Sequence, residues 1–270
     1  MKKKGSHYVY HYTSMEVLNS ILLSTHELWF SDASGLNDKN ELTEFLGKLE
    51  RATKRVDNPE YNEKQKAFFE KVYSAKDDSY PFIMCFSTNR DDAAQWERYA
   101  DNAKGVCIKF NQPLLEMLLR KTSLPVFFQE VFYVHDIREH AHYKNVVDLL
   151  EKGYCEGFDE DGLIGNIIAT APNFKHISFS SESEIRAIIL FAPQGKDVHF
   201  EMRNGLVKKI VKVDLLELCK QQGVDFQDLF DEIIIGPRSE QNIRILKEYL
   251  TTNNLDKVAA KVKLSECPLR

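Results

Sequence analysis

The sequence lacks the features that mark secreted and membrane proteins. Its five cysteines are scattered along 270 residues, and no two of them form a Cys-x-x-Cys pair. This pattern disfavours a disulfide framework and a thiolate zinc site, and it is typical of a reducing cytoplasm. No apolar run approaches the roughly 20 residues that cross a bilayer, and no signal peptide is recognisable. We therefore expect a cytoplasmic protein without a membrane partner.

A basic surplus and a metal-ligand pattern are missing as well. The formal net charge is −5 and the pI about 5.9, whereas proteins that bind nucleic acid over a broad surface carry a basic balance. We expect no broad nucleic-acid binding. His135, His140 and His142 do not have the spacing of a common ligand motif, so we expect surface histidines and no metal site.

Glycine-rich phosphate-binding motifs are also absent. No Gly-x-Gly-x-x-Gly follows a predicted strand, and no Gly-x-x-x-x-Gly-Lys occurs, which disfavours Rossmann and P-loop folds. The predicted strands and helices follow one another in a mixed order. This order predicts an α+β fold, with one domain over residues 1–270 and a mixed, largely antiparallel sheet surrounded by helices.

Hydrophobic periodicity predicts the individual elements. Thr13 and Glu16 have the spacing of a capping box that starts a helix, and Asp91 and Asp92 are expected in the first turn of a helix that reaches Ala100. Other helices are expected over residues 36–55, 145–175 (with a break at 153–162) and 239–250. Strands are expected over residues 7–12, 28–31, 82–87, 105–110, 125–134, 184–191, 205–213, 233–235 and 258–262.

Two candidate sites lie at predicted element ends. His11 ends the first strand, where it can reach a ligand in a cleft close to a helix N-terminus; the alternative is a hydrogen-bonded core histidine. Trp96 and Tyr99 share one face of the helix after the strand 82–87 and could hold a planar ring between them. Core packing is the alternative interpretation of these two aromatic residues.

A third candidate site combines two acids and a base. Glu182, Glu184 and Arg186 project to one side if this segment is a strand. Repulsion between two neighbouring carboxylates raises the pKa of one of them, while the positive charge of Arg186 lowers it. The pattern indicates acid–base chemistry or binding of a cationic intermediate. The alternative is a solvated edge strand with a salt bridge.

Over nearly its full length the chain resembles the bacterial domain-of-unknown-function family 2971. Leu269 stands where that family usually has a tyrosine near its closing arginine. The motifs that carry the resemblance are His11-Tyr12-Thr13-Ser14, Leu28-Trp29-Phe30-Ser31, Leu36-Asn37-Asp38-x-x-Glu41, Cys85-Phe86-Ser87, Trp96-x-x-Tyr99-Ala100, Gly105-Val106-Cys107-Ile108-x-Phe110, Lys175, Glu182-x-Glu184-x-Arg186, Gly236-Pro237 and Lys263-x-Ser265-x-x-Pro268-x-Arg270.

A histidine in the first strand, a central serine or tyrosine and a late Glu-x-Glu also resemble the pattern of ADP-ribosyltransferases. That resemblance implies an ADP-ribosyltransferase-like fold with NAD as substrate. It implies that Glu184 stabilises the oxocarbenium-like transition state as the catalytic carboxylate. By the same resemblance Glu182 orients the acceptor, and His11 binds the ribose on the adenosine side.

The resemblance further implies a set of residues that bind the cofactor. Trp96 or Tyr99 would stack on nicotinamide, and Ser87 would position the catalytic glutamate. The remaining residues expected to bind the cofactor are Tyr12, Thr13 and Arg186.

Three functions follow as hypotheses. The first is an NAD-using ADP-ribosyltransferase or NAD glycohydrolase that acts on an unknown macromolecular acceptor or on water, as a toxin or antiphage effector. The alternative is a nucleotide-sensing or partner-binding module without catalysis. A Mg²⁺-dependent nuclease that uses Asp38, Glu41, Glu182 and Glu184 ranks last, because none of these four acids belongs to a Glu-x-Lys or Asp-x-Asp core.

Overall fold

A branched sheet organises the fold. The structure, a computed structural model, describes residues 8–33, 41–55, 57–78, 81–136, 140–152, 159–190, 197–203 and 205–269. These residues form one ten-stranded, largely antiparallel sheet, a separate two-stranded sheet and helices around them, which confirms the predicted α+β class. None of the helices in this part of the chain is long and apolar enough to cross a membrane.

The elements have the following bounds. The strands are β1 (Tyr8–Thr13), β2 (Glu27–Asp32), β3 (Phe82–Ser87), β4 (Val106–Asn111), β5 (Val126–Glu130), β6 (Phe132–Val134), β7 (Phe174–His176), β8 (Glu184–Ile189), β9 (Val198–Arg203), β10 (Leu206–Asp214), β11 (Phe230–Ile235) and β12 (Val262–Leu264). The α-helices are α1 (Met15–Asn19), α2 (Glu41–Thr53), α3 (Pro59–Asp78), α4 (Ala93–Tyr99), α5 (Gln112–Leu119), α6 (Ala141–Lys152), α7 (Glu160–Thr170), α8 (Leu215–Gln222), α9 (Ile243–Thr252) and α10 (Asp256–Ala260). A π-helix (Ser20–Ser24) continues α1, and 3₁₀ helices cover Ala171–Asn173, Ile177–Glu182 and Phe226–Leu229.

Strand β3 is the branch point of the large sheet, whose main path runs β12-β11-β4-β1-β3-β2-β10-β9. Along its whole length β3 pairs with β8, which in turn pairs with β5. Its other edge is shared, because β1 pairs with it at Tyr10–Ser87 and β2 at Ser31–Ile83 and Asp32–Phe82. Since a strand has only two edges, β1 and β2 must separate beside the middle of β3. A gap opens there.

Alternation along β3 sends its side chains to two different environments. Phe82, Met84 and Phe86 belong to the main hydrophobic core. Cys85 and Ser87 therefore lie on the opposite face, as do the residues paired with them across β8. This opposite face carries the charged residues of the candidate site.

A second hydrophobic core positions the short strand β7. Helices α2, α3, α6 and α7 pack around it, and the ring of Phe45 stacks on Phe174 with 5.0 Å between centroids. Because Phe174 starts β7, this packing fixes the next residue, Lys175, beside the charged face of β8.

Several predicted elements are confirmed, and others are wrong for identifiable reasons. The strands around residues 7–12, 28–31, 82–87, 105–110, 184–191, 205–213 and 233–235 are present with shifted ends. The predicted strand over 125–134 is two strands in different sheets, because Val131 separates β5 from β6. Residues 258–260 belong to α10, so the closing strand begins later, at Val262. The predicted helix start over 36–40 lies outside the described residues.

The first helix is capped by a different residue from the one expected. The hydroxyl of Ser14 accepts a hydrogen bond from the backbone N–H of Val17 at 3.3 Å, so Ser14 is the N-cap. Thr13 is instead the last residue of β1 and pairs with Val106. The capping-box prediction at Thr13 is therefore wrong by one residue, since the strand ladder extends further than the sequence pattern indicates.

Candidate functional site

A cavity of about 290 Å³ occupies the gap beside β3. This volume is at the lower end of those found for small-molecule sites. Its wall combines residues from β1, α1, the π-helix, β2, β3, α4, β7, the 3₁₀ helix Ile177–Glu182, β8, β9 and β10. Most of the residues singled out in the sequence line this one cavity: His11, Tyr12, Thr13, Ser87, Tyr99, Glu182, Glu184 and Arg186.

Glu184 is a buried carboxylate that forms a bidentate salt bridge with an arginine. Arg186 donates from Nε and Nη2 to the two oxygens of Glu184 at 2.8 and 2.9 Å. Burial alone would raise the pKa of Glu184, but Arg186, Lys175 and a hydrogen bond with the Cys85 thiol together hold it below its usual value. Glu184 is therefore ionised at neutral pH.

Glu182 accepts hydrogen bonds from three directions. Lys175 donates to one carboxylate oxygen at 2.7 Å, and Arg98 and Tyr99 donate to the other, each at 2.9 Å. Burial, followed by the charge of Glu182, raises the pKa of the Tyr99 phenol, so this hydroxyl remains a donor at neutral pH. The two carboxylates thus occupy the same cavity with different partners.

Lys175 connects the two carboxylates. Its ammonium nitrogen lies 2.7 Å from Glu182 and 3.6 Å from Glu184, and its side chain is only 4% exposed. We did not predict Lys175 as a site residue. Its place among the family motifs was a signal, but no local pattern connects it to residues on β8.

A residue with a left-handed backbone conformation lies between Glu182 and Glu184 and brings them together. Glu182 ends a 3₁₀ helix, Glu184 begins β8, and Ser183 between them has φ 44° and ψ 52°. The prediction that both carboxylates project from one strand is therefore wrong for Glu182. The edge-strand alternative is also wrong, because β8 is paired on both sides and both carboxylates are buried. A non-glycine residue in this conformation is uncommon and often marks a functional site.

His11 and Ser87 line the gap itself. His11 donates from Nδ1 to the carbonyl oxygen of Cys85 at 3.1 Å, and its ring contacts Phe86 edge-on. The Ser87 hydroxyl donates to the backbone carbonyl of Glu182 at 2.7 Å. Ser87 therefore fixes the backbone that carries the glutamates, and it does so through Glu182 rather than through Glu184.

Trp96 does not line the cavity. Its side chain is fully buried, its indole N–H donates to Asp91 at 2.7 Å, and its ring packs edge-on against Tyr12. The expected sandwich of Trp96 and Tyr99 around a planar ring is thus not formed, since α4 turns Trp96 into a separate core cluster. The Tyr12 hydroxyl is engaged as well, because it donates to the Asn89 carbonyl at 2.8 Å and accepts from the Asp92 N–H at 2.9 Å.

Trp29 is the tryptophan that does line the cavity, and it was not predicted as a site residue. It lies half-buried on β2, and its indole N–H donates to Glu27 at 3.0 Å. Glu201 and Lys208 complete this part of the wall, and we call these four residues the Trp29 end. The sequence signal was the motif Leu28-Trp29-Phe30-Ser31.

A metal centre has no support among the described residues, where no three His, Cys, Asp or Glu side chains meet in a suitable cluster. Glu182 and Glu184 are held by cationic side chains instead. Of the nuclease residues considered, Asp38 lies outside the described residues.

His140 is half-buried rather than a surface histidine, with its ring 4.2 Å from that of Phe132.

Comparison with known proteins gives one match. The family model described as "Protein of unknown function (DUF2971)" matches residues 95–187. This segment is similar to the DUF2971 family. It covers about a third of the chain and includes Tyr99, Lys175, Glu182, Glu184 and Arg186, so the DUF2971 match contains most of the charged network. Searches of curated proteins and of solved structures found no significant match.

Proposed function

We propose that the chain binds NAD in this cavity and breaks the bond between nicotinamide and ribose, as an ADP-ribosyltransferase or an NAD glycohydrolase. The observation that carries the proposal is an ionised, buried Glu184 in the wall of a cavity that Glu182, Tyr99 and His11 also line. Perturbed ionisable groups gathered in a cavity are typical of catalytic sites.

The proposed reaction uses Glu184 as an electrostatic stabiliser. When the glycosidic bond breaks, its electron pair leaves with the nicotinamide nitrogen, and positive charge develops on C1′ of the ribose. The carboxylate of Glu184, fixed by Arg186, stabilises this charge without reorganising. Water or a nucleophilic group of a macromolecule then bonds to C1′ and releases a proton. Water gives hydrolysis, and a macromolecular acceptor gives ADP-ribosylation.

Cationic side chains around Glu182 and Glu184 support an anionic ligand at this end of the cavity. Lys175 and Arg186 line the cavity, and Arg98 adds a third positive charge to these two carboxylates. The local excess of one positive charge favours the diphosphate of a dinucleotide here rather than at the Trp29 end, where Glu27 and Glu201 also line the cavity. Within this proposal the chain serves as a toxin or antiphage effector, because a cell that loses NAD stops growing.

A nucleotide-sensing or partner-binding module without catalysis is the second candidate. The observation that favours it is the completeness of the charged network. Glu182 already accepts three hydrogen bonds, and both oxygens of Glu184 accept from Arg186. A fully paired buried network can have a purely structural role, and in that case the ligand would bind beside it without reacting.

The test compares the wild type with Glu184→Gln and with Glu232→Gln as a matched control. Glu232 is also a buried glutamate bound by an arginine, Arg90, but it does not line the cavity. Each protein is incubated with NAD labelled on its adenylate half, in buffer and in bacterial lysate. Nicotinamide release and label transfer are then measured. We expect Glu184→Gln to lower turnover by about 10²-fold or more and Glu232→Gln to retain it.

The remaining outcomes separate the two candidates. A folded Glu184→Gln variant with full turnover would remove Glu184 from the mechanism. If the folded wild type binds NAD but releases no nicotinamide in buffer or in lysate, the sensing module is the correct function. Label on a macromolecule would identify a transferase, and free ADP-ribose alone would identify a glycohydrolase.

A further inference from the structure

We propose that two copies of this chain associate through strand β9. In this dimer β9 pairs antiparallel with β9 of the second copy, around a two-fold axis that passes beside Phe200. The association does not depend on the proposed NAD chemistry. It follows from the position of β9 at a sheet edge, from the apolar residues that this strand exposes, and from a register in which β9 is complementary to itself.

Strand β9 lies at one end of the large sheet. It pairs with β10 on one side, and no other strand in the described part of the chain pairs with it. Every second residue of an edge strand directs its backbone N–H and C=O groups away from the sheet, where another strand can bind them. Proline and lysine often prevent such pairing, and β9 contains neither. This edge is therefore suited to pairing with another chain.

One face of β9 carries a row of apolar residues. Because Glu201 lines the cavity, alternation places Val198, Phe200 and Met202 on the opposite face of the strand. Phe200 is 70% exposed and Met202 is 75% exposed, and Val207, which pairs with Met202 across the hairpin, is exposed as well. Contiguous exposed apolar residues mark contact surfaces more often than scattered ones do. The same row of a second copy would remove this surface from water.

A pair centred on Phe200 makes the apolar row complementary to itself. Residues directly opposite each other in an antiparallel pair lie on the same face, so Phe200 meets Phe200 of the second copy, and Val198 meets Met202 at both ends. A centre at Glu201 would leave Val198 opposite a polar residue. A centre at His199 would do the same to Met202. The centre at Phe200 therefore gives the largest number of apolar pairs.

The other face of β9 favours the same register. With the centre at Phe200, His199 lies opposite Glu201 of the second copy, where its imidazole can donate a hydrogen bond to the carboxylate. A centre at Glu201 would instead place the two Glu201 carboxylates opposite each other. A centre at His199 would place Asp197 opposite Glu201. Like charges in directly opposite positions destabilise strand pairing, so both of these registers are disfavoured.

The proposed dimer extends to the edge of the cavity. Glu201 belongs to the Trp29 end, where it binds Lys212 at 2.7 Å and pairs with Lys208 in the ladder between β9 and β10. These two cations reduce the net charge around Glu201 in every register, so the apolar row contributes more to the choice of register than the charges do. His199 of the second copy would stand beside Glu201, and each protomer would thereby add a residue next to the cavity of the other.

The first experiment measures the oligomeric state of the full chain. Sedimentation velocity from about 1 to 100 µM covers the range expected for a small interface. We expect the wild type to dimerise as its concentration rises. Phe200→Glu places two carboxylates opposite each other at the two-fold axis and should weaken the dimer by about 10-fold or more. Phe127→Glu is the matched control, because Phe127 is also an exposed phenylalanine, on β5, whose described pairing is with β8 alone. It should leave the dimer unchanged.

Disulfide trapping tests the register. Opposite Cα atoms in an antiparallel pair lie about 4.5–5.5 Å apart, within the reach of a disulfide. Phe200→Cys should therefore give a disulfide-linked dimer under mild oxidation. Met202→Cys is the control, because four residues along the strand would separate the two copies of Met202 by about 14 Å. The wild type, with its five native cysteines, gives the background.

Several results would overturn the inference. They are a wild type that stays monomeric throughout this range, a dimer that Phe127→Glu disrupts and Phe200→Glu does not, and a Phe200→Cys variant that links no better than Met202→Cys. Circular dichroism shows whether each variant folds, and if Phe200→Glu does not, the comparison of Phe200→Cys with Met202→Cys decides. NAD turnover is measured separately, because its presence or absence tests Glu184 and leaves the β9 contact unaffected.

Discussion

At the scale of single residues, the charge of Glu184 depends on its immediate partners. Arg186 binds both of its oxygens, and Lys175 lies 3.6 Å away. These contacts more than offset the cost of burial, because the pKa of Glu184 is below its ordinary value in the folded chain. The carboxylate that the mechanism needs in its ionised form is thus kept ionised by the fold itself.

This pKa shift predicts a pH-dependent contribution to stability. A carboxyl group whose pKa is lowered by folding stabilises the fold above its unfolded pKa, near 4.5, and loses that effect as pH falls through the folded value. We expect Glu184→Gln to lower the free energy of unfolding by about 3 kcal/mol at pH 7, since it breaks a buried pair. The difference from the wild type should shrink below pH 4.5. Urea unfolding at pH 7, 5 and 3.5 measures it, and a difference that does not change with pH would contradict this account.

Whether an aromatic side chain faces the cavity also depends on the partners of that individual residue. Trp96 and Tyr99 are three positions apart on α4, yet Tyr99 binds Glu182 and Trp96 binds Asp91. The helical spacing correctly indicates that the two residues are about one turn apart and near the same face of the helix. It carries no information on which element packs against each of them, and so it could not exclude Trp96 from the site.

At the scale of elements, the junction between the 3₁₀ helix and β8 determines the geometry of the two carboxylates. Ser183 supplies the turn with a left-handed backbone, and its carbonyl accepts from the N–H of Thr88 at 2.9 Å. The residues 185–189, which are apolar apart from Arg186, predict a buried strand correctly. Because serine rarely adopts this conformation, the turn in front of the strand could not be expected from the sequence.

The strain at Ser183 can be tested with two substitutions. Valine is branched at Cβ and tolerates the left-handed region poorly, so Ser183→Val should lower the free energy of unfolding by about 1–2 kcal/mol and reduce nucleotide binding. Ser183→Gly adopts the same backbone without strain and should change stability by less than about 1 kcal/mol. Urea denaturation and NAD calorimetry provide the readouts. Equal effects of valine and glycine would show that the turn is not needed.

At the scale of the whole molecule, distant segments meet at Asp91. Its carboxylate accepts from the indole N–H of Trp96 at 2.7 Å, from the Ser265 hydroxyl and from the Glu266 backbone N–H at 2.6 Å. The C-terminal segment is thereby attached to the start of α4. Since α4 also carries Tyr99, this contact links the end of the chain to the wall of the cavity.

Replacing the Asp91 carboxylate should weaken the attachment of the C-terminal segment to α4. Asp91→Asn keeps the shape and tolerates the left-handed backbone at this position, φ 57°. It weakens hydrogen bonds to a charged acceptor, so we expect the free energy of unfolding to fall by about 1–3 kcal/mol and carboxypeptidase to digest the C-terminus faster. Glu97→Gln is the control, because its bond to Arg238 is an exposed pair worth less than about 1 kcal/mol. Equal losses of stability for the two variants would contradict the structural role of Asp91.

The sequence by itself determined the α+β class, most strand positions and several of the polar residues that line the site, because alternation, helical spacing and charge are local properties of the chain. Only the tertiary structure decided that β1 and β2 separate beside β3, that Lys175 joins the two glutamates, and that Trp29 rather than Trp96 faces the cavity. The reason is physical. Strand pairing and core packing join segments far apart in sequence, and no local pattern records which of the compatible partners each face will meet.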